Sequence, residues 1–445
     1  MLKYLAALLV PFAAMAQMRA GAAKRTITPD LDKHGPVWMA GFGQNRKATG
    51  IHDDLYARCA AFTTAGRPLV VCALDLIGVF WDDVQKIRGK VPNADVIVTA
   101  LHDHEGPDTM GLWGPAQGQS GINESYSSYF VERTAEAARE AVASLRPARL
   151  RLAKTKTPEL DTFIADTRPP VVHDTEILVL RAETSDGTPI ATLINWANHP
   201  ETLGSENTLI TADYSGYLCQ ETERLLGGTA VFVNGAVGGM QSPLGSTIKD
   251  EKGRVLPEKT FEKAEFLGKR VAFLASEAVR KAPVAAIDSI LFRERTIEIP
   301  MTNPGFNLAA KAGIFRGRKE PTAGGATVTP VGYVRFARGA DAQLEIALVP
   351  GEVYPELSVG GVERYAGADF PEAPVEPAIK PQMKAPFRML FGLANDEIGY
   401  IIPRAEWDEK APYLQNAAKK WYGEVNSVGP DAAPLIIKAF QSLLH

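Results

Sequence analysis

The apolar residues of this chain fall into short runs with abrupt polar ends. Residues 96–101 form one such run, and it stops at His102-Asp-His104-Glu before Gly106-Pro107 breaks the chain. Ala191-Thr-Leu-Ile-Asn-Trp-Ala-Asn ends at His199-Pro, and Leu344-Glu-Ile-Ala-Leu-Val ends at Pro-Gly-Glu352. Residues 229–233 run into Asn-Gly-Ala-Val-Gly-Gly, a turn suited to lining a site. Residues 21–30 read as an extended segment, and further strands are predicted at 150–152, 176–180, 290–299 and 333–336. Apolar positions at helical spacing predict helices over 123–145, from about 214 to 226, over 259–281 and over 432–444. The expected fold class is α/β: layered mixed β-sheets with flanking helices in a single large domain. Residues 301–329, with Gly324-Gly325, read as loop. Residues 372–386, rich in Pro, Glu and Lys, read as an exposed connection.

One hairpin can be read to its register. Ala65-Gly66 is a two-residue turn, and partners across it sum to 131. Cys59 and Cys72 then lie directly opposite each other, within disulfide reach. The alternative is two small buried thiols. Cys219 reads as a core residue.

Composition changes this picture little. The chain has 445 residues, 45% hydrophobic and 22% charged, with a net charge of -4. That is an ordinary globular balance and gives no reason to expect nucleic acid as a partner. Residues 1–16 differ: Lys3, an apolar stretch and Ala14-Met-Ala16 predict a secretory signal peptide cleaved near Ala16. Residues 17–445 would then be the exported domain, periplasmic or extracellular. No later apolar run is long enough to span a bilayer.

The candidate chemistry sits where the apolar runs stop. If the backbone stays extended past Leu101, His102 and His104 face the same way. Two histidines and a carboxylate, each at a strand's end, are the usual ligands of a catalytic zinc that keeps a position open for water. Residues 110–121, with their glycines, suit a mobile lip beside such a site, or simply a loop. His52 reads as a polar residue entering a strand.

These motifs resemble, in order, the catalytic domain of the neutral (non-lysosomal) ceramidase family. Gly50-Ile-His-Asp-Asp-Leu-Tyr-Ala-Arg58 is similar to its Gly-Ile-His…Leu-Tyr-Ala-Arg. Leu101-His-Asp-His-Glu-Gly-Pro107 is similar to its Thr-His-Thr-His-Ser-Gly-Pro. Asn195-Trp-Ala-Asn-His-Pro200 resembles Asn-Trp-Phe-Ala-x-His-Pro, one residue shorter. Ala212-Asp-Tyr-Ser-Gly-Tyr217, Pro350-Gly-Glu352 and Gly392-Leu-Ala-Asn-Asp-Glu-Ile-Gly-Tyr-Ile401 complete the series. The resemblance implies Zn2+ held by His102, His199, Glu352 and Tyr400. It implies that His104 faces a scissile amide, with Arg168 and Tyr400 assisting as donors. The activity implied is hydrolysis of the N-acyl amide of ceramide or a related N-acyl lipid. Alternatives are a different amide or ester, or a binding protein without catalysis. Transient contact with a membrane surface is implied, and no protein partner is inferable. Longer family members carry a C-terminal immunoglobulin-like domain that the resemblance does not cover. Gly238-Gly-Met-Gln-Ser-Pro243 departs from the family's Gly-Asp-Val-Ser-Pro-Asn, and Asp103, Glu105 and Asp108 predict a more acidic mouth.

Overall fold

A computed structural model of the chain describes residues 17–315, 322 and 325–445. The predicted leader and Gly324 lie outside them. Among the described residues, three larger sheets account for most of the strands. The first runs in the order Asp95–Ala100, Leu69–Leu74, Tyr56–Thr63, Arg19–Thr26, Arg146–Pro147. The second runs Thr229–Asn234, Pro189–Trp196, Ile177–Glu183, Arg149–Thr155, Val284–Ala285. The third runs Ser289–Pro300, Ala326–Arg338, Asp341–Leu348, Phe387–Phe391.

Each sheet is antiparallel except for one parallel pair at an edge. Parallel neighbours need a crossover. Helix Trp81–Gly89 supplies it in the first sheet and helix Asp213–Leu226 in the second. Strands of the first two pairs are buried on both faces, which is why their sequences read as nearly continuous apolar runs rather than alternations. The parallel edges of the three sheets turn toward one another, and the main core draws on all three through Ile97, Leu193, Phe232, Ile346 and Phe391. The fold is α/β, as the pattern predicts.

Helices cover the outer faces. Glu124–Ala143 packs on the first sheet, its first turn capped by Asn123, which accepts the Tyr126 N–H at 3.0 Å. Phe261–Arg280 and Asp213–Leu226 pack together beside the second sheet, and Ala432–Leu443 covers the third. The first hairpin has the predicted register, Cys59 opposite Cys72. A disulfide joins them, with Cα atoms 4.1 Å apart. Cys219 is buried.

Two predicted loops are more ordered than expected. Within 301–329 lies a helix, Pro304–Lys311, and the Ala326–Arg338 strand starts early. Proline at the first helical position is favourable, and the Asn303 side chain caps the Gly305 and Phe306 N–H groups. The 372–386 connection is not simply exposed. It contains the short helix Ile379–Gln382, whose Ile379 and Lys380 are buried, Lys380 against Asp174 at 2.6 Å. No helix among the described residues is long and apolar enough to cross a membrane.

Candidate metal centre

Five strand ends converge on one place, and polar side chains stitch them together. The Asn234 amide donates to the carbonyls of Leu101 and Asn198, both at 2.8 Å. It thereby ties the loop carrying His102 to the loop carrying His199. The His104 N–H reaches the Pro200 carbonyl at 3.0 Å, and the Gly392 N–H reaches Asn234 at 3.1 Å. Asn395 accepts the Val98 N–H at 2.9 Å. A two-residue parallel pairing sets Glu352 directly beside Tyr400.

The backbone does not stay extended past Leu101. His102 has φ 65°, in the left-handed region that costs a histidine about 1 kcal/mol or more. Met240 and Asn395, also near the centre, have φ 67° and 64°. The turn at His102, not strand alternation, brings the rings together. The centroids of His102 and His104 are 4.9 Å apart, and those of His102 and His199 are also 4.9 Å apart.

The centre has two layers. His102 Nδ1 donates to the Ile77 carbonyl at 2.8 Å, and His199 Nδ1 to the Gln241 carbonyl at 2.6 Å. Those bonds fix the tautomer and leave each Nε2 with its lone pair inward. Both Nε2 atoms point at the same Glu352 oxygen, at 3.2 and 3.1 Å. Two lone pairs facing a carboxylate repel unless a proton or a cation lies among them, so this donor set fits a divalent metal ion. Burial works to raise the Glu352 carboxyl, but with protons on these imidazoles in place of an ion, His102 and His199 outweigh it and hold its pKa at about 2. Burial opposes a charged His199, but Glu352 and Glu201 raise its pKa overall.

The donor set can be completed in more than one way. The ring nitrogens of His102, His104 and His199 form a buried group compact enough to hold an ion. Glu352 offers the other third donor. The Tyr400 hydroxyl lies at Glu352 and 3.2 Å from Met240 Sδ. Burial first, then the Glu352 charge, keep that phenol protonated well above its usual range. His104 is pushed well below the ordinary histidine range by burial, then by the other two histidines and Arg46. Its Nδ1 sits 3.2 Å from Glu201, off the hydrogen-bond line. Gly41 closes over this ring with φ +93°, and a Cβ there would lie 2.3 Å from His104 Cγ.

The centre forms the floor of a cavity of about 520 Å³. Phe42, Phe80, Trp113, Met301, Phe306 and Phe315 are among its walls. The predicted lip contributes Met110, Leu112 and Trp113, and it is tied down: Asp108 accepts the N–H groups of Met110, Gly111 and Trp113. The mouth is not acidic for the reason expected. Asp103, Glu105 and Asp108 are all buried and do not line the cavity. Arg168 is not brought to it either. Its guanidinium forks onto Glu424 at 2.6 and 2.7 Å and donates to the Glu406 carbonyl at 2.9 Å. His52 stacks on Phe261, away from the centre.

No protein-family model and no curated protein matches this sequence. Solved structures do. A crystal structure of neutral ceramidase from Pseudomonas aeruginosa superposes with TM-score 0.71 over 96% of this chain and 74% of that one, at 19% identity. A ceramidase complexed with C2 gives TM-score 0.70 over the same shares, at 18% identity. The chain has the fold of neutral ceramidase. On this ceramidase fold, Glu201, Asn234 and Arg46 are site-building residues that the sequence reading missed. Arg46 donates to the carbonyls of Ala40 and His104 and lies 3.3 Å from Glu105. Only Glu201 carried a signal, its place two residues after His199.

Proposed function

We propose that this protein is an exported, zinc-dependent amidohydrolase that cleaves the N-acyl bond of ceramide or a related N-acyl lipid. The proposal rests on one observation: His102, His199 and Glu352 meet at the floor of an apolar-walled cavity with both outer imidazole nitrogens already committed to carbonyls. His102, His199, Glu352 and Tyr400 would hold the ion. Zinc, when bound, lowers the pKa of a water to roughly 7 and polarises a carbonyl. The chain's own residues do the rest. The aromatic wall takes up an acyl chain and keeps water from the amide. Neutral His104 holds or moves a proton at the reacting amide, and the Tyr400 hydroxyl donates to developing negative charge. Arg168 is held on Glu424 and does not line the cavity, so it serves the fold. The Cys59–Cys72 bond suits an oxidising compartment, in keeping with export. A lipid substrate implies transient contact with a membrane surface.

Metal analysis with fatty-acid release from N-acyl lipids tests this. Expected are one zinc per chain and release that stops on chelation and returns with zinc. Undiminished turnover by zinc-stripped protein would overturn it. A matched ester series distinguishes amide from ester cleavage.

A further inference from the structure

Three stretches around the cavity are tied into one rim. The Asn303 amide donates to the carbonyls of Val425 and Ser427, both at 2.8 Å, which joins helix Pro304–Lys311 to the 422–428 turn. The Ser120 hydroxyl reaches the Ile314 carbonyl at 3.4 Å, and Leu112, Trp113, Phe306 and Ile314 pack on one apolar cluster, which joins the same helix to the lip. Trp113, Phe306 and Tyr422 also line the cavity. This rim is poor in charge for a chain that is 22% charged. Residues 109–122 hold no charged side chain, 301–315 only Lys311, and 421–428 only Glu424, which is buried on Arg168.

Helix Pro304–Lys311 is apolar on both sides. Its inner side buries Ala309, and its outer side shows Pro304, Gly305 and Leu308, with Leu308 69% exposed. On helix Phe261–Arg280, by contrast, the exposed positions besides Phe273 are Glu262, Lys269 and Arg280. Tyr422 and Val425 add 49% and 47% exposed side chains to the rim. A helix apolar all round is normally covered all round, and grouped exposed apolar residues mark a contact surface. The cavity opens inside this rim, so a protein seated there would shut the site. A bilayer would not, because it holds acyl lipids that can pass from its interior into the apolar cavity. Trp113 and Tyr422 suit the headgroup level, and Lys311 can reach phosphates from the end of the helix.

We propose that this rim docks on a phospholipid bilayer, with Leu308 and Val425 entering the acyl boundary, so that the cavity takes its substrate from the membrane rather than from water. The substrate half of this rests on the amidohydrolase reading; the docking does not need it.

Flotation of the purified protein with phosphatidylcholine vesicles tests the docking. A second set of vesicles contains phosphatidylglycerol, because Arg316, Arg318 and Lys319 follow Phe315 outside the described residues. Wild type should bind both sets. Leu308→Glu with Val425→Glu should weaken binding to both about 10- to 100-fold, and Phe273→Glu should leave it unchanged. Leu308→Ser adds no charge, should weaken binding about 3- to 10-fold, and decides the matter if the double variant does not fold. Wild type that stays off phosphatidylcholine, or binding that needs phosphatidylglycerol and ignores Leu308, would overturn the proposal. So would a dimer that the double variant separates while vesicle binding holds. On a water-soluble hexanoyl amide the double variant should keep the wild-type kcat/KM, while turnover of a vesicle-embedded long-chain amide falls about 10-fold. Equal loss on both amides would overturn the membrane route. If wild type cleaves neither amide, the amidohydrolase reading fails by itself, and vesicle binding still decides the docking.

Discussion

Two buried charged clusters in this molecule have opposite characters. Around Arg168 donors face acceptors: a fork onto Glu424, a carbonyl from Glu406, and Trp421 beneath the guanidinium at 4.9 Å. Around Glu352 acceptors face acceptors, with two Nε2 lone pairs on one carboxylate oxygen. In the first cluster the guanidinium's charge is paired within the chain. The second would be completed by a cation that the chain does not supply. Burial and charge alone do not mark a functional site. The mismatch between donors and acceptors does.

Breaking each cluster should therefore give different symptoms. Arg168→Ala leaves Glu424 buried without its partner and should cost about 3–5 kcal/mol of stability, read from urea unfolding. The molecules that remain folded should keep their full metal content. An unchanged unfolding midpoint with a lower kcat would instead make Arg168 a participant in the reaction. Removing the disulfide by Cys59→Ser with Cys72→Ser should cost about 3 kcal/mol, the loop-closure value for a separation of 13 residues, and leave metal content unchanged. Tyr400→Phe removes a hydroxyl beside Glu352 without opening the core. It should lower turnover or metal affinity about 10- to 100-fold, measured by kinetics and metal titration, with unfolding scarcely moved.

Much of this was legible in the sequence, and the reason is geometric. Strands in parallel edge pairs are mostly apolar toward their ends, so each run's end is visible, and His102, His199 and Glu352 stand just past three such ends. The hairpin register followed from turn length alone. Other features depend on long-range contacts. The left-handed turn at His102 is set by Asn234 and by Pro200 from another sheet, and no local pattern announces it. Arg168 looked available because its partner Glu424 lies 256 residues away. Helix Pro304–Lys311 was hidden by the glycines that follow it, although Asn303-Pro304 is a recognisable start. Acidic residues near His104 suggested a charged mouth, but Asp108 caps a loop and Glu105 binds Arg46 and Asn207.

The central claim is that His102 belongs to the metal's ligand set while the adjacent His104 serves the reacting amide. Metal content and turnover of His102→Ala and His104→Ala test it most directly. His102→Ala should lose zinc and activity together. His104→Ala should retain one zinc per chain while kcat falls on the order of 10²–10³-fold. If His104→Ala loses zinc as readily as His102→Ala, the three-histidine set holds the metal, and the division of labour proposed for this centre is wrong.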